Sequence, residues 1–354
     1  MKGLILSGGK GTRLRPLTHT RAKQLVPIAN KANIDYCVED IVRAGVTEIG
    51  IIISPETGEE VKTHLGDGSR LGAKITYIPQ DRPGGLAHAV KIAQPYLRSD
   101  PFIMYLGDNL LDGGIGHMLE KFNAGGVEAC ILLTKVPNPS SFGVAVRDIT
   151  GKIVRLVEKP KEFISDLALV GVYLFTPKIH EIIANLKPSA RGELEITEAI
   201  QQLLEAGFNV NAEEVRGYWK DTGNAADLLD ANRLVLSRIE REVLGQVENS
   251  EIVGEVQIAA GASIKNSRLR GPISIAAGAV IENAYVGPYT SIGENAVVKN
   301  CELEYSILMQ GARLEGIARR VDSSILGEEV RVLGEADRKN TVQFFLGDRS
   351  TVKI

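Results

Sequence analysis

The chain reads as two textures in series. An α/β domain with a largely parallel central sheet covers residues 1–240, and a hexapeptide-repeat parallel β-helix with a C-terminal tail covers residues 241–354. Three patterns carry this reading. Short apolar runs, many of them β-branched, alternate with amphipathic stretches in the first two-thirds. Isoleucine and valine then recur every six residues with Gly and Ala between them, the signature of stacked coils. The total of 354 residues fits two domains at about 100–200 residues each.

The apolar runs at residues 4–6, 49–53, 74–78, 102–106, 129–133 and 170–175 are expected as strands. Between several of them, residues 35–44 and 86–97 carry helix-period apolar faces. Short apolar strands alternating with helices favour a largely parallel sheet, buried on both faces. Residues 224–243 form a longer helical pattern, with Leu228, Ala231, Val235, Ile239 and Val243 on one face. The repeat begins after it. Ile252, Ile258 and Ile264 are spaced by six, as are Ile275 and Ile281, and Val286, Ile292 and Val298 follow at five and then six. It becomes degenerate over residues 323–332, and residues 344–354 are expected as a capping strand or tail. A β-sandwich would instead alternate with period two and show turn signals every 8–12 residues or so.

Composition narrows the function classes. A formal net charge of −3 argues against a dedicated nucleic-acid binder, which presents a basic face. Cys37, Cys130 and Cys301 are scattered and odd in number, which suits a reducing compartment better than a disulfide framework. The apolar start before Ser7 is too short for a secretion signal, and no run approaches the roughly 18 residues of a membrane span. The expectation is a cytoplasmic protein with no nucleic-acid or membrane partner.

Chemistry concentrates in the first domain. Leu6-Ser7-Gly8-Gly9-Lys10-Gly11-Thr12-Arg13-Leu14 follows the first strand. Without Cβ atoms in the way, such a loop can turn several backbone N–H groups toward phosphate oxygens. It is neither a dinucleotide fingerprint, because Leu14 stands where the third glycine belongs, nor a Walker A loop, because Gly11 follows Lys10. Taken alone, it reads equally as a tight strand-to-helix turn. Lys23-Gln24 follows ten residues on. Leu106-Gly107-Asp108-Asn109 sets a carboxylate at the C-terminal end of a strand, the edge where open α/β sheets bind ligands. Glu158-Lys159-Pro160 and Trp219-Lys220-Asp221-Thr222-Gly223 add two charged turns. A single Asp in a turn is commonly a capping residue. Two, beside Arg and Lys in a glycine-rich setting, suit a divalent cation bound with phosphates.

This combination, with GGxGTRLxPLT spanning residues 8–18, resembles the sugar-phosphate nucleotidyltransferases, and among them the long glucose-1-phosphate thymidylyltransferases that carry a C-terminal β-helix. The resemblance spans the whole chain. It implies a Rossmann-like domain with a mixed sheet, a left-handed β-helix, and the reaction of dTTP with glucose 1-phosphate to give dTDP-glucose and pyrophosphate, dependent on Mg²⁺. It assigns Arg13 to the triphosphate and the departing pyrophosphate, Lys23 to the phosphates near the reacting centre, and Asp108 and Asp221 to Mg²⁺. Leu6, Gly8, Gly9, Gly11, Thr12 and Gln24 would join Arg13 around the nucleotide, and Gln80 with Gly85 would read thymine. Asn109, Gly143, Glu158, Lys159, Gly171 and Trp219 would hold the sugar phosphate. Ser7, His88 and Asp166 depart from the residues usual at those places, Ala, Gln and Asn.

Three other readings stay open. UTP or another nucleotide, or another sugar 1-phosphate such as N-acetylglucosamine or mannose 1-phosphate, could replace the named pair. The β-helix could add an acetyl transfer; all five histidines precede the repeat, which argues against a histidine base there and leaves a different base open. A regulatory subunit would have lost Arg13, Lys23, Asp108 or Asp221, and all four are present. The β-helix itself is expected to mediate a homo-oligomer, since exposed coil ends need covering.

Overall fold

The computed structural model describes residues 1–334 and 349–352. The chain divides into two compact units, Met1–Lys10 with Asn33–Asp221, and Gly11–Ala32 with Thr222–Ile354. The cut differs from the 240/241 line drawn from composition because the second unit takes in an N-terminal segment and a helix, both hydrogen-bonded to the coils.

In the first unit, strand Lys2–Ser7 is central. It pairs in parallel with Glu48–Ile53 on one side and Phe102–Leu106 on the other, and Glu48–Ile53 pairs in parallel with Lys74–Pro79. The long strand Leu167–Phe175 then joins antiparallel to Phe102–Leu106, Ala129–Lys135 and Gly143–Arg147, while Val210–Glu214 runs parallel to Ala129–Lys135. The sheet is therefore mixed, with its parallel part around the first strand. Parallel strands end on the same edge, so residues after Ser7, Pro79 and Leu106 gather there. Leu6 O accepts from Gly107 N at 3.0 Å, which sets two of these loops side by side.

Helix Leu86–Leu97 has the bounds its periodicity predicts, and buries Ala87, Ala89, Val90, Ala93 and Leu97. Its small residues let it lie close on the sheet. Helix Asn33–Arg43 starts two residues earlier than residues 35–44 suggest, and buries Ile34, Cys37, Val38 and Ile41 at i, i+3, i+4 and i+7. Phe102 and Phe175 meet at 5.5 Å between ring centroids in the core.

In the second unit, three all-parallel stacks carry the repeat. One contains Val256–Ile258, Ile273–Ile275 and Thr290–Ile292, a second Ser263–Lys265, Val280–Glu282 and Val297–Lys299, and a third Arg268–Arg270, Tyr285–Val286 and Glu302–Glu304. Val256 faces Ile273 and Ile264 faces Ile281, so one coil climbs one strand in every stack. Three faces of about six residues each close such a coil, which is why the sequence shows a period of six. The aliphatic residues of the repeat form one buried column that includes Ile258, Ile264, Ile275, Ile281, Val286 and Val298. This is the stacking of the β-helix the pattern predicts.

The helical pattern expected over residues 224–243 is shorter in the structure. The helix spans Ala225–Leu236, capped by Asn224 Oδ1 accepting from Asp227 N, and Glu242–Val243 is already the first strand of the coil. Its buried face is Leu228, Ala231, Asn232 and Leu236, so a polar residue occupies a core position that an aliphatic stripe does not reveal. Of the expected tail, residues 344–348 and 353–354 lie outside the described residues. Among the described residues, no helix is long and apolar enough to cross a membrane.

Ile281→Ala should lower the unfolding free energy of the coil by about 2–5 kcal/mol, because a fully buried side chain leaves a cavity between coils that cannot collapse. Urea denaturation followed by circular dichroism reads this, and an unshifted midpoint would show that the column is not close-packed there.

Candidate active site

The sheet edge in the first unit collects most of the residues singled out by sequence. Gly8 directly follows strand Lys2–Ser7, and a side-chain carbon there would come within 2.5 Å of Gln80 Oε1. Glycine thus leaves room for the Gln80 amide over the loop. Gln80 is buried, and its Nε2 donates to His88 Nδ1 at 3.1 Å. His88 stands on the first turn of helix Leu86–Leu97, whose N-cap is Gly85. Gly85 has a left-handed φ of 98°, and a side-chain carbon would strike Leu194 O at 2.4 Å. Gln80 and Gly85 are thereby linked through His88, which orients the amide by accepting from it. Lys10 pairs with Glu56 at 3.3 Å on the open side of the loop.

Asp108 lies in the turn between Phe102–Leu106 and the short strand Asn109–Leu111, and is buried. Asn109–Leu111 pairs antiparallel with Trp219–Asp221, and the register sets Asp221 opposite Asn109. Two carboxylates distant in sequence therefore stand one position apart across a two-stranded ladder. Asp108 and Asp221 supply hard oxygen donors, the kind a divalent cation takes together with substrate oxygens and water. Asn109 Nδ2 donates to Asp108 Oδ1 at 3.3 Å, while its Oδ1 accepts from Trp219 Nε1 at 2.5 Å and from Gly171 N at 3.3 Å. Asp108, Asn109, Gly171, Trp219 and Asp221 thus form one connected group.

A second group adjoins in the same unit. Gly143 and Glu158 are cross-strand partners, and a side-chain carbon at Gly143 would meet Thr197 Oγ1 at 2.6 Å and Glu158 Oε2 at 3.0 Å. Thr197 Oγ1 donates to Glu158 Oε2 at 2.7 Å. Lys159 Nζ and Arg191 Nη2 approach Glu158 Oε1 at 3.9 and 3.3 Å, so the carboxylate lies among cations. Phe142 packs edge-on against Trp219 at 5.5 Å and accepts from Lys159 N through its carbonyl, which ties this group to the first. Such a cradle offers acceptors, an aromatic wall and cations, which suits a hydroxylated, anionic ligand.

Gly9 follows Gly8 in the first unit, and the remaining predicted residues lie in the second unit, on segment Gly11–Ala32. Thr12–Leu14 is a single 3₁₀ turn, and Gly11 O accepts from Leu14 N at 3.0 Å and from Thr18 Oγ1 at 2.6 Å. Arg13 is exposed, while Leu14 beneath it is buried and anchors the turn. Lys23–Leu25 forms another 3₁₀ turn in which Gln24 and Leu25 are buried and Lys23 is half-buried. A side-chain carbon on Gly11 would lie 3.1 Å from Lys23 Cβ, so the two turns that carry Arg13 and Lys23 are neighbours. Gln24 Oε1 is buried and accepts no hydrogen bond among the described residues.

Sequence reasoning missed Phe142, Arg191 and Thr197. None belongs to a local pattern, and Thr197 reads as an ordinary polar residue at the start of helix Ile196–Glu205. It also left Cys37 without a place. Cys37 Sγ donates to Asn109 O at 3.4 Å beneath the carboxylate turn, and burial, with Asp40 and Asp108 nearby, pushes its thiol well above the ordinary range.

Comparison with known proteins gives the class of the chain. The model of the nucleotidyl transferase family matches residues 2–238. The chain belongs to the nucleotidyl transferase family. A glucose-1-phosphate thymidylyltransferase of Streptomyces griseus is 48% identical over 100% of this chain and 99% of its own, and that of Streptomyces antibioticus is 49% identical over the same shares. A crystal structure described as a glucose-1-phosphate thymidylyltransferase of Bacillus anthracis, in complex with sucrose, superposes with a TM-score of 0.63 at 38% identity, covering 66% of this chain and 94% of that one.

Cys37, Cys130 and Cys301 are all buried, and burial pushes the Cys130 and Cys301 thiols up to about 12 and about 11. A raised pKa keeps each group a neutral thiol throughout the range below it. The native protein at pH 8 should therefore react negligibly with a disulfide reagent such as DTNB, and three thiols should titrate in guanidinium. Rapid reaction of a native thiol would contradict the burial.

Proposed function

We propose that the protein transfers a deoxythymidylyl group from dTTP to glucose 1-phosphate, with Mg²⁺, giving dTDP-glucose and pyrophosphate. The observation that carries the reading is the connected group in which the Asp108/Asp221 pair adjoins the Asn109, Trp219 and Glu158 cradle, in a chain nearly half identical to full-length relatives so named.

A sugar phosphate is already anionic at neutral pH, so no general base is needed. Its oxygen bonds to the α-phosphorus as the bond to the α,β-bridging oxygen breaks, and pyrophosphate leaves with that electron pair. The barrier is the approach of two polyanions and the charge on the leaving group, so positioning and electrostatics supply the rate. Arg13 would stabilise the departing pyrophosphate and Lys23 the phosphates near the reacting centre, with Leu6, Gly8, Gly9, Gly11, Thr12 and Gln24 around the nucleotide. Asp108 and Asp221 would hold Mg²⁺, which when bound neutralises charge between the two phosphates. Glu158, Asn109, Gly143 and Gly171 would accept or donate to the sugar hydroxyls, Trp219 would wall the sugar, and Lys159 would grip its phosphate. Gln80, held through its amide nitrogen by His88, would use its oxygen, together with Gly85, on the pyrimidine edge. Thymine and uracil share that edge and differ only by a methyl group, so UTP should serve as a poorer alternative.

The coil would assemble copies of the chain. Val243, Leu244, Val247 and Val253 are exposed on its first turn, which has a neighbouring coil on one side only. Three buried free cysteines suit the cytoplasm.

Pyrophosphate release should be maximal for dTTP with glucose 1-phosphate when five nucleoside triphosphates are crossed with glucose, galactose, mannose and N-acetylglucosamine 1-phosphates. A maximum at another pair would keep the class and overturn the named substrates. Asp108→Asn should lower kcat by about 10²-fold or more without shifting the unfolding midpoint, on the scale of losing one preorganised electrostatic contact. Retained turnover would remove Asp108 from the site.

A further inference from the structure

Segment Gly11–Ala32 ends in a hairpin whose strands, Pro27–Ile28 and Lys31–Ala32, leave a two-residue turn at Ala29 and Asn30. Both have left-handed backbone, with φ of 48° and 65°. Asparagine tolerates this region, whereas alanine adopts it only where the surroundings impose it. They do so here. Ala29 N donates to Asn232 Oδ1 at 2.8 Å, and Asn30 Nδ2 donates to both Ser274 O and Ser274 Oγ at 3.0 Å.

Asn232 is fully buried on helix Ala225–Leu236 and serves the coil with the same side chain. Its Oδ1 also accepts from Ser291 Oγ at 3.0 Å, and its Nδ2 donates to Tyr289 O at 3.1 Å. The amide accepts from a backbone N–H and a hydroxyl with its oxygen while donating to a carbonyl with its nitrogen, so one side chain reaches three partners. A second tie lies earlier in the segment. Arg21 is ion-paired with Glu328, and Leu17 Cδ2 lies 3.4 Å from where a side-chain carbon on Gly327 would stand. The coil thus grips the segment at residues 17–21 and again at 29–30. Lys23 lies between the two grips, and Arg13 lies just before the first.

We propose that the β-helix is a positioning scaffold for the two cations of the loop, and that Asn232 is the positioning residue through which its coils act. The roles of Arg13 and Lys23 rest on the function proposed above. The tie itself rests on the hydrogen bonds alone. Asn232 touches no substrate in this scheme. It fixes the hairpin tip, which fixes the turn that carries Lys23.

The test uses the full chain and compares Asn232→Ala and Asn30→Ala with Ile281→Ala, a cavity in the same coil with no bond to the segment. Below the melting range of all three, kcat for pyrophosphate release should fall about tenfold to a hundredfold in Asn232→Ala, the scale on which a misplacement of about an ångström acts. Asn30→Ala should fall less, and Ile281→Ala should stay within about twofold of the parent. Tryptic cutting after Arg21 and Lys23 should quicken about fivefold or more in Asn232→Ala and not in Ile281→Ala, because cleavage follows local opening. Unchanged kcat and cutting in Asn232→Ala would overturn the proposal, as would equal changes in Ile281→Ala. Should Asn232→Ala fail to fold, Asn30→Ala is read by the same criteria. If the parent chain releases no pyrophosphate with any pair, the enzymatic reading falls while the tryptic comparison still decides the tie.

Discussion

The side-chain amide of Asn109 binds three stretches of chain at once: the turn at Asp108, the backbone of Gly171 on the long antiparallel strand, and the indole of Trp219. What is proposed for Asp108, Gly171, Trp219 and Asp221 hangs on this node. A buried amide left without partners costs about 1–3 kcal/mol for each orphaned group, so the three stretches are held in one arrangement. That arrangement fixes the ladder between Asn109–Leu111 and Trp219–Asp221, and the ladder brings Asp221 beside Asp108. The nearness of these two residues in the fold is thus a product of strand register. A slip of one residue would turn Asp221 to the other face.

The second unit solves an analogous problem with another amide. Asn232 joins a strained hairpin tip to the coils by accepting twice and donating once. In both units the groups proposed to act, carboxylates in one and cations in the other, stand on or beside short turns. In the proposed scheme their orientation comes from two buried amides, Asn109 and Asn232. Such a division is economical, because turns supply the close approach that phosphates require and strands, helices and coils supply rigidity.

The β-helix also shows how chemistry and architecture separate along this chain. Its column of Ile, Val, Leu and Ala is an interior with no histidine, and its cysteine is buried. Its contribution in the proposed scheme is mechanical. It offers a stiff, regular stack on which a short segment can be fastened at two places.

Sequence by itself determined the two architectures, because period six in Ile and Val matches the three-faced coil and neither the period of a helix nor that of a flat strand, and because apolar runs between amphipathic stretches specify an α/β layer. It also determined which residue types stand at the strand ends, since Gly8, Asp108 and Glu158 are local features of their turns. It misjudged the helix before the coil, which ends at Leu236, because the apolar spacing runs on into residues that form the first coil strand. The tertiary structure alone decided which distant residues meet. Asp221 beside Asn109, Thr197 on Glu158, His88 on Gln80 and Asn232 beneath Ala29 are separated by 8 to 203 residues in sequence, and most share no local pattern. Hydrogen-bond partnership is set by strand register and helix placement, which depend on the whole core rather than on the few residues on either side.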